Sequence, residues 1–449
     1  MRTAVALVLL LVCVGPFGRA GADERSAVAL EREVQRVNEG RQFWPGYDPL
    51  AVPLAIFDGT NTFLFRHPTP PEGFVEGANL HVLEGRHAAV VANSSAQIGG
   101  VSTATVMLES LPPENTLSEW AAVVVHEAFH VFQGSTGRRW GANEVDLFLY
   151  PVDDAALLTL RRLETEALGR AFAARDRDIA AGWAQCALDL RHERFDGMDP
   201  AFQAYERGIE THEGTATYVE YGVTGRTRPD FPAEGFDAED VRSRAYTTGV
   251  AWALLLDRFD PNWRDGFDGD ESRHLYAELA EAPLLIQETP QDCVFTAPER
   301  TEAARVARED VERLLVQRTE RRGQFESLPG WQIIVQADET APLWPQGFDP
   351  LNVHRVDGGV LHTRFLKLGN ESGALEVMGD TVLTEEVGPH PLFNGVHRLV
   401  SAGLETEPQV EIEGEHVRIS SPSFTADFTG ASVHRSGSQV IVSLAPRGK

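Results

Sequence analysis

The spacing of apolar residues along the chain changes character twice, and each change predicts a different kind of element. In the segment 26–39 the apolar residues recur at the spacing of a helix face: Val28, Leu30, Val34 and Val37. From Val52 to Glu109 they gather instead into short β-type runs separated by turn signals such as Asp58-Gly59. These runs predict strands in VPLAIFD, TFLFR, LHVLE, HAAVVAN and STATVML.

From Thr116 to about Glu326 nearly the whole chain has a helical pattern, and beyond Pro329 the strand pattern returns. The later strands are predicted in WQIIVQ, GVLHTRFLKL, ALEVMG, QVEIEG, HVRISS and QVIVSLA. Short strands at regular spacing are typical of a β-sandwich. We therefore expect an α+β multidomain protein, with a strand-rich N-terminal part at 23–112, a mainly helical domain at 113–326 and a β-sandwich-like C-terminal domain at 327–449.

The first residues have the pattern of a secretory signal peptide. Arg2 precedes an apolar run from Ala4 to Val14, and Ala20-Gly21-Ala22 supplies the small residues of a cleavage site. The run has 11 residues, too few to cross a bilayer. We expect a leader at 1–22, an exported protein (secreted or periplasmic) and no membrane span.

Outside the leader the chain has two cysteines, Cys186 and Cys293. An oxidising compartment would allow them to form one disulfide, and two buried thiols fit the sequence equally well. The pairing therefore stays open at this point.

The composition narrows the range of partners. The chain has 67 acidic and 40 basic residues, a formal net charge of −27, which disfavours nucleic acid and anionic membrane surfaces because their phosphates would be repelled. Hydrophobic residues at 42% and charged residues at 24% are typical of a folded soluble protein.

One sequence motif occurs twice. The segment 43–50, FWPGYDPL, is similar to the segment 343–351, LWPQGFDPL, while the flanking sequences differ. A shared turn-and-packing motif explains the similarity better than a duplicated domain.

One segment carries candidate chemistry: His126-Glu127-Ala128-Phe129-His130. Thr116 and Glu119 form a capping box that predicts a helix start, and the apolar sequence that follows predicts a buried helix. On a helix, His126 and His130 project from one face and both imidazoles can reach one Zn²⁺. Glu127 lies on the flank of that face, where a general base would lie.

A catalytic zinc site needs a third protein ligand. The metzincin pattern fails, because Gln133 and Thr136 occupy its Gly and last His positions. Downstream, Glu213-Gly214-x-Ala216 resembles the E-G-x-A signature of gluzincin metallopeptidases, in particular their aminopeptidase-N-like branch. The resemblance implies that Glu213 is the third zinc ligand and that Gly214 and Ala216 allow close packing against the first helix.

Two neighbours of Glu213 are alternative candidates. Glu210 shares its helix face and could orient a ligand histidine, whereas His212 points elsewhere and is better explained as structural. The 83 positions from His130 to Glu213 include a helical stretch to which the sequence assigns no role.

Tyr246-Thr-Thr-Gly249 resembles the Y-x-x-G helix start that carries a catalytic tyrosine in the same branch. The resemblance implies that the Tyr246 hydroxyl stabilises an oxyanion, and an ordinary packing role is the alternative. The G-x-M-E-N strand of the aminopeptidases is missing from the sequence. The segment Asn93–Thr103, where a substrate-binding edge strand should lie, could still pair with an extended peptide.

The function expected from the resemblance is that of a secreted zinc metallopeptidase, which hydrolyses peptide or protein substrates with Glu127 as general base. One alternative is a zinc hydrolase acting on a non-peptide amide or ester. The other is a non-catalytic secreted binding protein with a vestigial zinc site and the C-terminal β domain as its recognition surface.

Overall fold

The computed structural model describes residues 26–137, 140–267, 273–282 and 294–445. The predicted leader and Cys293 lie outside the described residues, while Cys186 is buried. The chain groups into two compact units. The first unit consists of Met1–Ser135 and Val219–Arg226, and the second of Thr136–Tyr218 and Thr227–Lys449.

Within the described residues, the first unit contains one mixed sheet and two long α-helices. Its elements are helix α1 (Ala27–Asn38), strands β1 (Leu54–Phe57), β2 (Asn61–Phe65), β3 (Val75–Gly77), β4 (Leu80–Glu84), β5 (Ser94–Ile98) and β6 (Val101–Met107), and helix α2 (Leu117–Ser135). The strand order is β3-β4-β2-β1-β6-β5, so β5 is an edge strand. Strand β1 pairs antiparallel with β2 and parallel with β6.

The predicted N-terminal helix is confirmed as α1. Ser26 caps it by accepting a hydrogen bond from the Ala29 backbone N–H at 3.2 Å. Its apolar face is fully buried at Leu30 and Val34, and the helix packs against α2. Burial of this stripe stabilises a helix too short to persist alone in water.

Two strand predictions are wrong. The run GVLHTRFLKL divides into two strands of different sheets, Gly359–His362 and Phe365–Asn370. The run HAAVVAN forms a turn, in which the Val90 N–H donates to the His87 carbonyl oxygen at 2.9 Å and Arg86 Nη1 donates to the Val90 carbonyl oxygen. Val90 is completely buried in the apolar core above the sheet, so its hydrophobicity reflects burial of a turn. The strand of this region lies further on, in the polar segment β5.

The other α-helices of the described ranges lie in the second unit. They are α3 (Ala155–Ala173), α4 (Arg177–Asp196), α5 (Pro200–Thr224, whose last residues belong to the first unit), α6 (Val241–Phe259), α7 (Leu275–Ala280) and α8 (Ala297–Glu326). Helix α8 begins at a second capping box, formed by Thr296 and Glu299. Within the described residues, none of the helices is both long and apolar enough to span a bilayer.

Two sheets complete the second unit. Their strands are β7 (Trp331–Gln336), β8 (Trp344–Phe348), β9 (Val353–Val356), β10 (Gly359–His362), β11 (Phe365–Asn370), β12 (Gly373–Met378), β13 (Val382–Glu385), β14 (Arg398–Leu404), β15 (Gln409–Glu413), β16 (His416–Ser420), β17 (Phe424–Thr429), β18 (Ser432–Ser436) and β19 (Gln439–Ser443). One sheet has the order β18-β19-β7-β14-β13-β10-β9 and the other β15-β16-β17-β12-β11-β8.

The two sheets share one apolar core. Ile333 and Val440 of the seven-stranded sheet are fully buried in the same cluster as Leu366 and Phe428 of the six-stranded sheet. Strand β17 alternates buried and exposed residues along its whole length, as expected when one face covers a core and the other meets solvent. The predicted succession of a strand-rich region, a helical middle and C-terminal sheets is confirmed.

Candidate metal centre

Helix α2 begins where its capping box predicts. The Thr116 backbone N–H donates to Glu119 Oε2 at 2.7 Å, and the Glu119 N–H donates to Thr116 Oγ1 at 3.3 Å. Further along the helix, the buried Tyr47 hydroxyl donates to the Val125 carbonyl oxygen at 2.6 Å, and the Tyr47 ring packs edge-on against Phe129. These contacts fix one face of the helix in the apolar core and leave its histidine-bearing face to the site.

The two histidines of α2 face each other as the sequence predicts. Their Nε2 atoms are 3.1 Å apart, and their rings lie 4.8 Å from centroid to centroid at an interplanar angle of 80°. His126 is buried and His130 half-buried. Candidate ligand atoms of His126, Glu127 and His130 all lie within 4.8 Å of one another.

The other nitrogen of each ring has an acceptor beside it. His126 Nδ1 lies 3.2 Å from Glu220 Oε2, and His130 Nδ1 lies 2.7 Å from Gln133 Oε1. When each Nδ1 donates its hydrogen to that oxygen, both Nε2 atoms present lone pairs toward the same point. Two lone pairs at this distance repel each other unless a cation or a proton lies between them, so the donor set fits a bound Zn²⁺.

Glu127 is buried to the same degree as His126. It follows His126 directly, so it leaves the helix about 100° around the axis from the histidine face. A carboxylate in this position can approach a group held between the histidines from the side, which is the geometry a general base needs.

In the second unit, Glu213 is buried on helix α5 and held by a salt bridge. Arg242 Nη2 donates to Glu213 Oε1 at 2.7 Å, and Arg242 Nη1 also pairs with Glu144. His212 Nδ1 lies 3.4 Å from the same carboxylate oxygen. Burial lowers the pKa of Arg242, but Tyr246, Glu213 and Glu144 outweigh this effect and raise it, so the guanidinium stays charged.

Tyr246 lies next to this arginine, with the Arg242 guanidinium 5.7 Å from the centre of its ring. The prediction that Tyr246 opens a helix is wrong, because α6 begins at Val241 and places Tyr246 in its second turn. The segment before Tyr246 is helical because Val241 and Arg244 are buried and pack in the interior of the unit. The catalytic role of Tyr246 stays a prediction.

Gly214 does permit close packing, and its partner within the second unit is helix α6. A Cβ at Gly214 would lie 2.5 Å from Gly249 Cα, and a Cβ at Gly249 would lie 2.5 Å from the Glu210 carbonyl oxygen. The glycines of the two predicted motifs therefore form one helix–helix contact. Their absence of side chains allows the backbones of α5 and α6 to touch.

Glu210, considered above as a partner of a ligand histidine, belongs to a different structure. It accepts hydrogen bonds from Arg191 Nη2 at 2.5 Å and from Thr248 Oγ1 at 2.6 Å. It is one member of a buried ion cluster, which consists of Arg191, Arg194, Arg244, Glu164, Glu206 and Glu210. Every side chain of this cluster is at most 2% exposed.

Helices α3 and α4 of the helical stretch between His130 and Glu213 supply three of the charged side chains of this cluster. Helix α3 supplies Glu164, and helix α4 supplies Arg191 and Arg194. Burial raises the pKa of Glu164, but the three arginines outweigh it and lower the pKa to about 2. The stretch therefore surrounds the Glu206–Glu210 segment of α5 with compensating charge.

The sequence did not single out two polar residues that lie beside the histidines of the candidate metal centre, Glu220 and Gln133. Gln133 follows His130 by three residues, so helical spacing alone would have placed it beside that histidine. Glu220 follows Glu213 by seven residues of one helix, an interval that marks a common face. Its contact with His126 depends on the packing of elements distant in sequence.

Comparison with protein-family models, with curated proteins and with solved structures found no match to this chain.

Proposed function

We propose that this protein is an exported zinc-dependent metallopeptidase of the gluzincin type. In this proposal His126, His130 and Glu213 hold the metal, and the leader at 1–22 directs export. The observation that carries the proposal is the pair of opposed Nε2 atoms, with a Glu220 or Gln133 oxygen beside the Nδ1 of each ring. An acceptor at the second ring nitrogen is typical of histidine ligands in metal sites.

Zn²⁺, when bound, supplies Lewis-acid activation of water and of the scissile carbonyl. Glu127 then accepts the proton of the attacking water and passes it to the leaving amine. Tyr246, in the same proposal, donates a hydrogen bond to the oxygen that becomes negatively charged.

The sheet of the first unit supports a peptide as substrate. Strand β5 is the last strand of its sheet, and helix α2 packs against both β5 and β6. An edge strand offers backbone N–H and C=O groups to an extended peptide by strand addition. The segment predicted from sequence for this purpose, Asn93–Thr103, contains β5.

The test measures zinc content and peptide cleavage on the same preparations of wild type and Glu127→Gln. We expect one zinc ion per chain in both, and a loss of cleavage of about 10²–10⁴-fold in the variant, since it removes the general base and no ligand. Glu119→Gln, on the same helix, is the matched control, because a capping box accepts Gln in place of Glu.

The outcomes separate the alternatives. Zinc without Glu127-dependent cleavage of any peptide in a diverse library, but with cleavage of amide or ester substrates, would indicate a non-peptide hydrolase. Zinc with no turnover of either kind would indicate a binding protein, and a folded preparation that takes up no zinc would refute the metal centre itself.

A further inference from the structure

The second unit contains a cavity of about 700 Å³, formed by helices α3 and α8 and by the segment 231–236. Part of its wall is apolar, and Phe231, Phe295 and Val306 contribute to it. All residues that line it belong to the second unit, whereas His126, Glu127 and His130 belong to the first. Its volume lies within the range of pockets that bind small molecules.

Two buried arginines, Arg161 and Arg244, also line this cavity. They are 4% and 1% exposed. Arg244 belongs to the ion cluster, in which three arginines face three glutamates, so its charge is balanced there. Arg161 is a fourth buried arginine, and it forms no salt bridge with the three glutamates of the cluster.

The hydrogen bonds of Arg161 are made to backbone oxygens. Its Nη2 donates to the carbonyl oxygens of Asp237 and Ala238, both at 2.9 Å. Among the described residues no carboxylate lies within ion-pair distance of it. Burial and the positive charges of Arg244 and Arg194 lower its pKa, while Tyr150 and Glu206 oppose them. The result is a pKa of about 10, so the guanidinium is still charged at neutral pH.

Four acidic residues line the cavity: Glu166, Glu299 and Glu302 form salt bridges, and Glu234 is exposed. Arg170 forms salt bridges with both Glu166 and Glu299, and Arg305 pairs with Glu302. Among the described residues, none of these four carboxylates lies within ion-pair distance of Arg161. Arg161 is therefore a buried guanidinium in the wall of a partly apolar cavity, and its hydrogen bonds are made to backbone oxygens.

We infer that this cavity binds a small amphipathic carboxylate, whose anionic group pairs with Arg161 and whose apolar body lies against Phe231 and Phe295. A guanidinium forms two parallel hydrogen bonds with a carboxylate, and this pairing is strongest where water is excluded. The apolar wall would contribute through burial of the rest of the molecule. Such a site acts in addition to the proposed metal centre and does not depend on it.

The test is calorimetric titration of the full exported chain with 4-phenylbutyrate and octanoate. Their neutral analogues, 4-phenylbutanol and octanol, serve as matched ligands. We expect saturable binding of one carboxylate per chain, and binding at least about tenfold weaker for each alcohol, because a hydrogen bond to a charged group is lost.

Two variants examine the site itself. Arg161→Met removes the charge, and Ala303→Trp fills the cavity from helix α8 without touching the ion cluster; each should weaken carboxylate binding at least about tenfold. Arg300→Met and Thr301→Trp, on the exposed side of the same helix, are the matched controls and should bind as wild type does. Ala303→Trp keeps the test valid if Arg161→Met does not fold.

Three results would overturn the inference. The first is no saturable binding of either carboxylate up to about 10 mM. The second is equal binding of acid and alcohol, which would indicate an apolar cavity without anion recognition. The third is loss of binding in His130→Ala with retention in Ala303→Trp, which would assign the carboxylate to the metal.

Discussion

Gly214 of helix α5 and Gly249 of helix α6 are in direct backbone contact, so close that a Cβ on Gly214 would lie 2.5 Å from Gly249 Cα. Glu213 directly precedes the first glycine, and Arg242 lies two helical turns before the second. The contact therefore fixes the distance between the two helices next to Glu213, and the long Arg242 side chain reaches that carboxylate from two turns away.

Replacing Gly214 by Ala should destabilise the second unit by about 1–3 kcal/mol, because the helices must separate to admit the methyl group. Gly323→Ala is the matched control, since Gly323 also lies within a helix and a Cβ there would contact nothing within 4 Å. It should be neutral or raise the free energy of unfolding by about 0.4–1 kcal/mol. Urea denaturation measures the free energy of unfolding of both variants. Equal changes in the two variants would show that the Gly214–Gly249 contact does not contribute to stability.

Glu164→Gln should lower the free energy of unfolding by about 3–5 kcal/mol, because it leaves three buried arginines with one carboxylate fewer. The carboxylate accepts hydrogen bonds from Arg191, Arg194 and Arg244. Glu166→Gln, two residues further on the same helix, removes an exposed ion pair and should cost about 0–1 kcal/mol. A small effect at Glu164 would mean that the cluster tolerates an unpaired guanidinium.

The pKa of the Glu164 carboxyl group predicts how the free energy of unfolding depends on pH. Its pKa is about 2 in the folded protein, against an ordinary value of 4.5, so its stabilising contribution is complete above pH 4.5 and is lost as the pH falls toward 2. Arg191, Arg194 and Arg244 face it from helices α4 and α6, and Glu206 lies beside it. Within this window the stability difference between wild type and Glu164→Gln should narrow by up to about 1.4 kcal/mol per pH unit. Urea denaturation of both proteins, with a chelator present to keep them metal-free, measures this difference at several pH values. A difference that does not change with pH would contradict the prediction.

Glu220→Gln should weaken zinc binding about 10- to 100-fold without removing a ligand, because the His126 ring loses the carboxylate that orients it. Competition with a chromophoric chelator measures the affinity, and the unfolding transition of the metal-free protein shows whether the fold is intact. Glu119→Gln should bind zinc as wild type does. An unchanged affinity in Glu220→Gln would remove Glu220 from the metal centre.

Tyr246→Phe tests the tyrosine implied by the resemblance. If its hydroxyl stabilises the oxyanion, kcat for peptide cleavage should fall about 10²–10³-fold with zinc content unchanged. Its ring contact with Arg242 is retained by Phe. A kcat close to that of wild type would leave Tyr246 with a packing role alone.

Features built from neighbouring residues could be predicted from the sequence. The caps of α1 and α2 and the opposed histidines each depend on groups three or four positions apart in a regular helix. The contact of Glu220 with His126 and the pairing of Glu210 with Arg191 could not be predicted, because they join helices whose relative packing no local spacing specifies.

The repeated motif shows which features the local sequence determines and which depend on tertiary packing. In both copies the aspartate side chain accepts a hydrogen bond from the backbone N–H two residues later, from Leu50 to Asp48 at 2.9 Å and from Leu351 to Asp349 at 3.0 Å. The turn was therefore determined by the sequence alone, since donor and acceptor are covalent near neighbours. The shared packing that we expected is present at the first residue, since Phe43 and Leu343 are both buried, but it is wrong at the tryptophan: Trp44 is 3% exposed and Trp344 is 47% exposed. Trp44 packs edge-on against Phe129 of α2, and burial of this kind depends on which distant element covers a side chain, so only the tertiary structure could decide it.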